Sequence, residues 1–261
     1  MALLNLPLSV RGRVLVLVGA ATISAAALAF VRPIPQPLAY HLFADQRRLC
    51  GVSNLANTAS NLPFLLIGIW GIAAIVRGKA RFIDARERWP WLIFFAGVAL
   101  TCIGSAYYHL APDNDRLVWD RLPITLSFTS LFAAVIAERI SIKAGLALLV
   151  PLLVVGAVSV WYWHVTEQQG RGDLRMYGFV QFFPALGIAL ILWMFPAHYT
   201  RSWDWLPAMG LYVLAKLLEA SDKPVYAALG SSVSGHTLKH LAAAAATWWI
   251  LRMLIRRQPV G

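Results

Sequence analysis

Eight apolar stretches, at about 13–31, 55–76, 91–110, 122–138, 145–163, 177–196, 203–220 and 236–255, take up most of the chain. Each is close to the ~20 residues a helix needs to cross the hydrocarbon core of a bilayer. Of the 261 residues, 13% are charged and 59% hydrophobic; a soluble domain carries roughly twice that charge fraction. The pattern predicts an all-α integral membrane protein with several spans. The segments between the stretches are brief, so no soluble domain is inserted, and no internal repeat is visible.

The formal net charge is +11. No long basic run or aromatic-basic module accompanies it, which argues against nucleic acid as a partner. Basic residues flanking membrane spans account for it better. Arg11 and Arg13 precede the apolar run Val14–Val31, which is long for a signal peptide and predicts an uncleaved first span. Cys50 and Cys102 make no disulfide framework, and no Cys-Cys zinc motif is present.

Lysine and arginine are richer on one side of this map, above all in Arg77–Arg88 and near the C-terminus at Arg252, Arg256 and Arg257. Placing that side in the cytoplasm puts both termini inside. With alternating spans, the end of the third stretch and the starts of the fourth and eighth then share the outer face. The third ends Gly104-Ser105-Ala106-Tyr107-Tyr108-His109, and the fourth is preceded by Trp119-Asp120-Arg121. The eighth opens His236-Thr237-Leu238-Lys239-His240. Residues four apart share a helix face, which pairs Ser105 with His109 and His236 with His240. Pro123 is read in the first turn of the fourth helix, where a missing N–H costs little.

Intramembrane histidines and carboxylates are costly unless they serve a purpose. Three imidazoles from two helices can bind zinc tetrahedrally and leave one position open, an arrangement known from catalytic sites. Such a metal acidifies water and polarises carbonyls. In that setting Asp120 is a candidate general acid–base and Ser105 a candidate oxyanion donor. Taken singly, each has a plainer reading: Asp120 as a helix N-cap, Ser105 as a small packing residue, a lone histidine as a hydrogen-bonding residue. Lys216, Glu219, Asp222 and Lys239 read as mutually paired, with Glu219 or Asp222 alternatively supporting a histidine. Gly172-Asp173-Leu174-Arg175 reads as a salt-bridged loop. His41, His164 and His198 read as loop or interface histidines.

Together, Ser105-x-x-x-His109, Asp120 and His236-x-x-x-His240, with Asn57-Thr58-Ala59-Ser60-Asn61-Leu62 upstream, resemble the alkaline ceramidase family. That family belongs to a superfamily with the progestin and adiponectin-type receptors and the Per1-like lipid-remodelling proteins. The resemblance covers roughly 45–255. It implies a seven-transmembrane-helix core bundle plus one extra N-terminal transmembrane helix. The domains would be 1–44, the first helix and an outer loop, and 45–261, the ceramidase-like unit. It further implies zinc on His109, His236 and His240, with Asp120 and Ser105 as catalytic residues. The activity implied is hydrolysis of a ceramide-like amide, a sphingolipid reaction yielding a fatty acid and a sphingoid base, with substrate entering from the bilayer. An extra first helix accompanies bacterial relatives, implying a multi-pass inner-membrane protein whose site faces the extracytoplasmic side. Eukaryotic members bind calcium through an acidic segment. Here it reads Phe43-Ala44-Asp45-Gln46-Arg47-Arg48-Leu49-Cys50, with Asn54 where an acid is expected, so Ca2+ is not expected to bind. A receptor-like or lipid-binding protein with structural zinc is the second reading, although structural sites commonly use four protein ligands. A transporter, the third, would show repeated halves or broken midplane helices.

Overall fold

Backbone amides in hydrocarbon must be satisfied within the protein, and the helix does this segment by segment. A computed structural model describes residues 8–260 and is helical throughout, with no sheet among the described residues. Residues 1–7 of the expected N-terminal domain, and Gly261, lie outside the described residues.

In chain order the helices are α1 (Val10–Phe30), α2 (Leu55–Ala59), α3 (Leu62–Val76), α4 (Arg88–Leu110) and α5 (Asn114–Arg139). They continue as α6 (Ile142–Gln168), α7 (Arg175–Met194), α8 (Trp205–Ala220), α9 (Asp222–Ala228) and α10 (Gly235–Arg256). Among the described residues, six spans are long and apolar enough to cross a membrane: α1, α2–α3 together, α4, α5, α6 and α7. The stretch expected at 203–220 yields the 16-residue α8, about 24 Å long against a core of about 30 Å. The last stretch yields the 22-residue α10, long enough to span but carrying Lys239, two histidines and two arginines.

α5 differs most from the sequence expectation. Asp113 caps it by accepting the Arg116 N–H at 2.6 Å, so the helix begins at Asn114. Pro123 therefore lies inside it rather than in its first turn. Proline lacks the N–H that would bond the carbonyl four residues back, here that of Trp119. That carbonyl is where α4 approaches: a side-chain carbon on Gly104 would collide with it. The crossing sets Ser105 of α4 against Asp120 of α5.

Neighbouring helices pack as α3–α4–α5–α6, with α7 against α5, α10 against α8 and α3, and α1 against α7. A large apolar core including Trp91, Phe95, Ile191 and Leu251 fills the middle of the bundle. A smaller cluster of Phe43, Tyr108, Leu117, Val160, Trp163 and Tyr177 closes the end where α4 stops and α5 and α10 start.

Candidate metal centre

Each of the three histidines sits at a helix end whose backbone is locally explained. His109 is the penultimate residue of α4, and its otherwise orphaned carbonyl accepts from the Asn54 side chain at 2.8 Å. Asn54 itself adopts a left-handed conformation (φ 49°), which asparagine tolerates better than most residues. Ser234 caps α10 by accepting the Thr237 N–H at 3.0 Å. Gly235 lets the start of α10 press against the ends of α8 and α9, since a side chain there would meet the Leu218 carbonyl and the Asp222 backbone. His236 and His240 then face inward, one turn apart.

The three imidazoles are buried, and their ligand atoms lie within 4.8 Å of one another. Ring centroids are 4.9 Å apart for His109–His236, 5.0 Å for His109–His240 and 4.9 Å for His236–His240. The Nε2 atoms of His109 and His236 stand 3.3 Å apart. Nitrogens about 2.0–2.1 Å from a tetrahedral zinc are about 3.3–3.4 Å from each other, so this spacing suits a shared ion. Ser60 settles the tautomer of His240. Its hydroxyl donates to the Asn57 carbonyl at 2.9 Å, spending its one proton. Oγ therefore accepts from Nδ1–H of His240 at 2.8 Å, leaving Nε2 with a free lone pair. The three histidines form a group that can hold a metal ion.

Asp120 and Ser105 are buried, lie side by side, and line one cavity of about 1070 Å³ with His240. Asp120 is two turns inside α5, so the N-cap reading is replaced: Asp113 does that work. The cavity walls are mostly apolar and include Phe94, Val98, Phe128, Leu186 and Ile250, with Leu28 and Val31 contributed from the α1 side. It exceeds the ~300–1,000 Å³ of common ligand pockets.

Several contacts around the histidines carry no signal in the helix periodicity. The Phe43 ring lies on His109 and His236, with centroids 4.7 and 4.4 Å away. Asn57 Oδ1 accepts from the hydroxyls of Thr237 at 2.7 Å and Ser234 at 3.3 Å. Asp222 accepts the His236 N–H and the Ala44 N–H, each at 2.8 Å, tying the Phe43 segment to the start of α10. Ser60 and Asn57 sit in the polar run noted upstream, where polar residues at helical spacing interrupt an apolar stretch. His41 bonds the Tyr108 hydroxyl at 2.9 Å and Asn114 at 3.0 Å, which makes it an interface histidine.

Lys216 and Lys239 both pair with Glu219, while Asp222 stands apart on backbone amides. Asp173 pairs with Arg175 at 2.7 Å, as read for that loop, and the Arg175 guanidinium holds its carboxyl below the usual carboxylate range. Asp45 Oδ1 and Oδ2 accept from Arg47 Nε and Nη2 at 2.8 and 2.7 Å. Calcium takes about six to eight oxygen ligands; a segment whose one carboxylate already holds a guanidinium does not suit it.

A buried three-histidine group that could hold a metal ion, one member of which lines a large apolar cavity, sits at one end of a bundle with several helices apolar enough to cross a membrane, which defines the class as a multi-pass membrane protein. The Ceramidase family model matches residues 50–255, and the chain belongs to that family. A comparison with curated proteins gives no match.

Proposed function

We propose that the protein is a zinc-dependent intramembrane amidohydrolase. It cleaves the amide of a long-chain, ceramide-like N-acyl lipid into a fatty acid and an amine. The observation that carries this reading is the cluster of three imidazoles, one of which, His240, lines an apolar cavity together with Asp120 and Ser105. Membership of the ceramidase family supports it.

Zinc on His109, His236 and His240 would supply Lewis acidity, acidifying a water and polarising the amide carbonyl. Asp120 takes a proton from the attacking water and returns it to the departing amine nitrogen as the C–N bond breaks. Ser105 donates to the carbonyl oxygen as negative charge develops there. The apolar walls hold the acyl chain and keep bulk water from the reacting bond. The protein crosses the membrane as a seven-helix core plus α1, with α8 and α10 as spans. Both termini are cytoplasmic and the site faces the extracytoplasmic side of a bacterial inner membrane, a placement supported by the bias of Arg77–Arg88 and Arg252–Arg257. Substrate enters laterally from the bilayer.

The test is metal analysis of the purified protein together with fatty-acid release from N-acyl lipids. Stoichiometric zinc is expected, and its loss with activity in His236→Ala and His240→Ala. Metal-free wild type, or hydrolysis untouched by those substitutions, overturns the proposal. Bound zinc without hydrolysis of any N-acyl lipid points instead to the receptor-like reading.

A further inference from the structure

Arg121 follows Asp120 on α5, is 5% exposed, and lines the same cavity. Its guanidinium lies 4.0 Å from the Trp163 ring centroid and 4.5 Å from that of Tyr177. Nη2 donates to Gln36 Oε1 at 2.6 Å, while the buried Nη1 has no acceptor. Among the described residues no carboxylate stands within ion-pair distance of it.

Arg257 is buried and paired with Glu138, and the half-buried Lys216 and Lys239 share Glu219. Arg139, also buried and outside any ion pair, is held by the Phe195 carbonyl and the Ser202 hydroxyl and does not line the cavity. At the polar end of the cavity, Arg121, Lys216 and Lys239 therefore face only Asp120 and Glu219. A desolvated guanidinium without a counter-charge is costly. The cation–π contacts to Trp163 and Tyr177 offset part of such a cost but supply no counter-charge. The planar fork of arginine matches carboxylates and phosphates. Asp120 and Arg121 line the same cavity, so an anion held by Arg121 shares that cavity with an amide presented to Asp120.

We propose that the cavity takes N-acyl lipids whose amine portion carries an anionic group close to the amide, a carboxylate or a phosphate, and that Arg121 reads it. This rests on the hydrolase reading and narrows its substrate class away from neutral ceramide.

The test uses the purified, zinc-loaded full chain. The kcat/KM values for N-palmitoylglycine and N-palmitoyl-phosphoethanolamine are compared with that for neutral N-palmitoylethanolamine, in wild type, Arg121→Gln and Arg121→Lys. Wild type should prefer an anionic amide about tenfold or more, as expected for a charge-assisted hydrogen bond, and the better of the two identifies the anion. Arg121→Gln should reduce the anionic-to-neutral ratio by about 10–100-fold, with partial recovery in Arg121→Lys. Binding of N-palmitoylglycine to metal-free protein, measured by calorimetry, should weaken in parallel. Equal turnover of neutral and anionic amides by wild type overturns the inference, whether or not the variants fold, and leaves the hydrolase reading standing. Tight binding of N-palmitoylglycine with hydrolysis of no amide does the reverse.

Discussion

Two buried polar clusters sit at opposite ends of the helix bundle, and they are finished differently. At the end where α4 starts and α10 stops, marked by Glu87, Trp91 and Arg257, the groups close on one another. Glu138 accepts from Arg257 at 2.8 Å and from Trp91 at 2.7 Å. Tyr199 donates to Glu87, accepts the Ile83 N–H at 2.6 Å, and stacks under Arg257 at 3.9 Å. At the other end, three imidazoles bring possible ligand nitrogens within 4.8 Å of one another, and one of them, His240, lines a cavity. Satisfied polar groups anchor helices, whereas converging donors left to a missing partner mark a place for a ligand. Substitutions should therefore split cleanly: stability at the closed end, metal content and chemistry at the open end.

The strongest break should come from His236→Ala or His240→Ala. Losing a direct ligand should exceed the ~10–100-fold seen when an outer partner of a ligand is lost. Metal analysis and fatty-acid release should both fall to background, while the helical circular dichroism signal is kept. Next, Asp120→Asn should lower kcat by about 10²–10⁴-fold, the range of general acid–base catalysis, with zinc content unchanged. A loss of zinc in that variant would reassign Asp120 from proton transfer to metal support.

At the closed end, Glu138→Ala leaves the 2%-exposed Arg257 and the Trp91 N–H without their carboxylate. Removing one partner of a buried ion pair costs about 3–5 kcal/mol. The thermal unfolding midpoint should drop sharply, with zinc per folded molecule and turnover retained. Ser60→Ala should be milder and opposite in kind. Stability should barely change, while zinc affinity falls by about 10–100-fold, since Ser60 holds His240 in its metal-ready tautomer. If both variants lose only stability, the contrast between the two ends dissolves.

Much of the open end is readable from spacing, because helix geometry is periodic. Four-residue steps put Ser105 with His109 and His236 with His240, and alternation of spans brings His109, Asp120 and His236 to one end. Those are consequences of local geometry that a bilayer enforces. The start of α5 was obscured because Pro123 resembles a first-turn proline, whereas the Asp113 cap sets the start nine residues earlier. The end of α8 at Ala220 coincides with the end of the apolar stretch, whereas the short α9 after Ser221 begins on Asp222 and Lys223 and has no apolar run to announce it. Phe43 over two imidazoles, Asn54 on the His109 carbonyl and Asp222 between Ala44 and His236 join segments far apart in the chain. No periodicity encodes such contacts; they follow from how whole helices dock.

The smallest expected effect concerns the segment that covers the open end. Asp45 is bound by Arg47, whose hydrogen bonds hold its carboxyl below the ordinary value of 3.8. Arg47 also donates to the Ser232 carbonyl at 2.7 Å, next to the start of α10. A carboxyl whose folded pKa is depressed stabilises the folded state above its unfolded value. That contribution fades as pH falls through the folded value. Asp45→Asn should therefore lower the unfolding midpoint at neutral pH by about 1–2 °C, the scale of a pair whose arginine is exposed to solvent. The gap should close as pH drops below 3.8, where the wild-type carboxyl gains its proton. Unfolding scans of both proteins across that range check it. A gap that persists unchanged in acid would mean that the segment is held by Asp222 and Phe43 alone, and that the Arg47 pair adds nothing to the cover over the histidines.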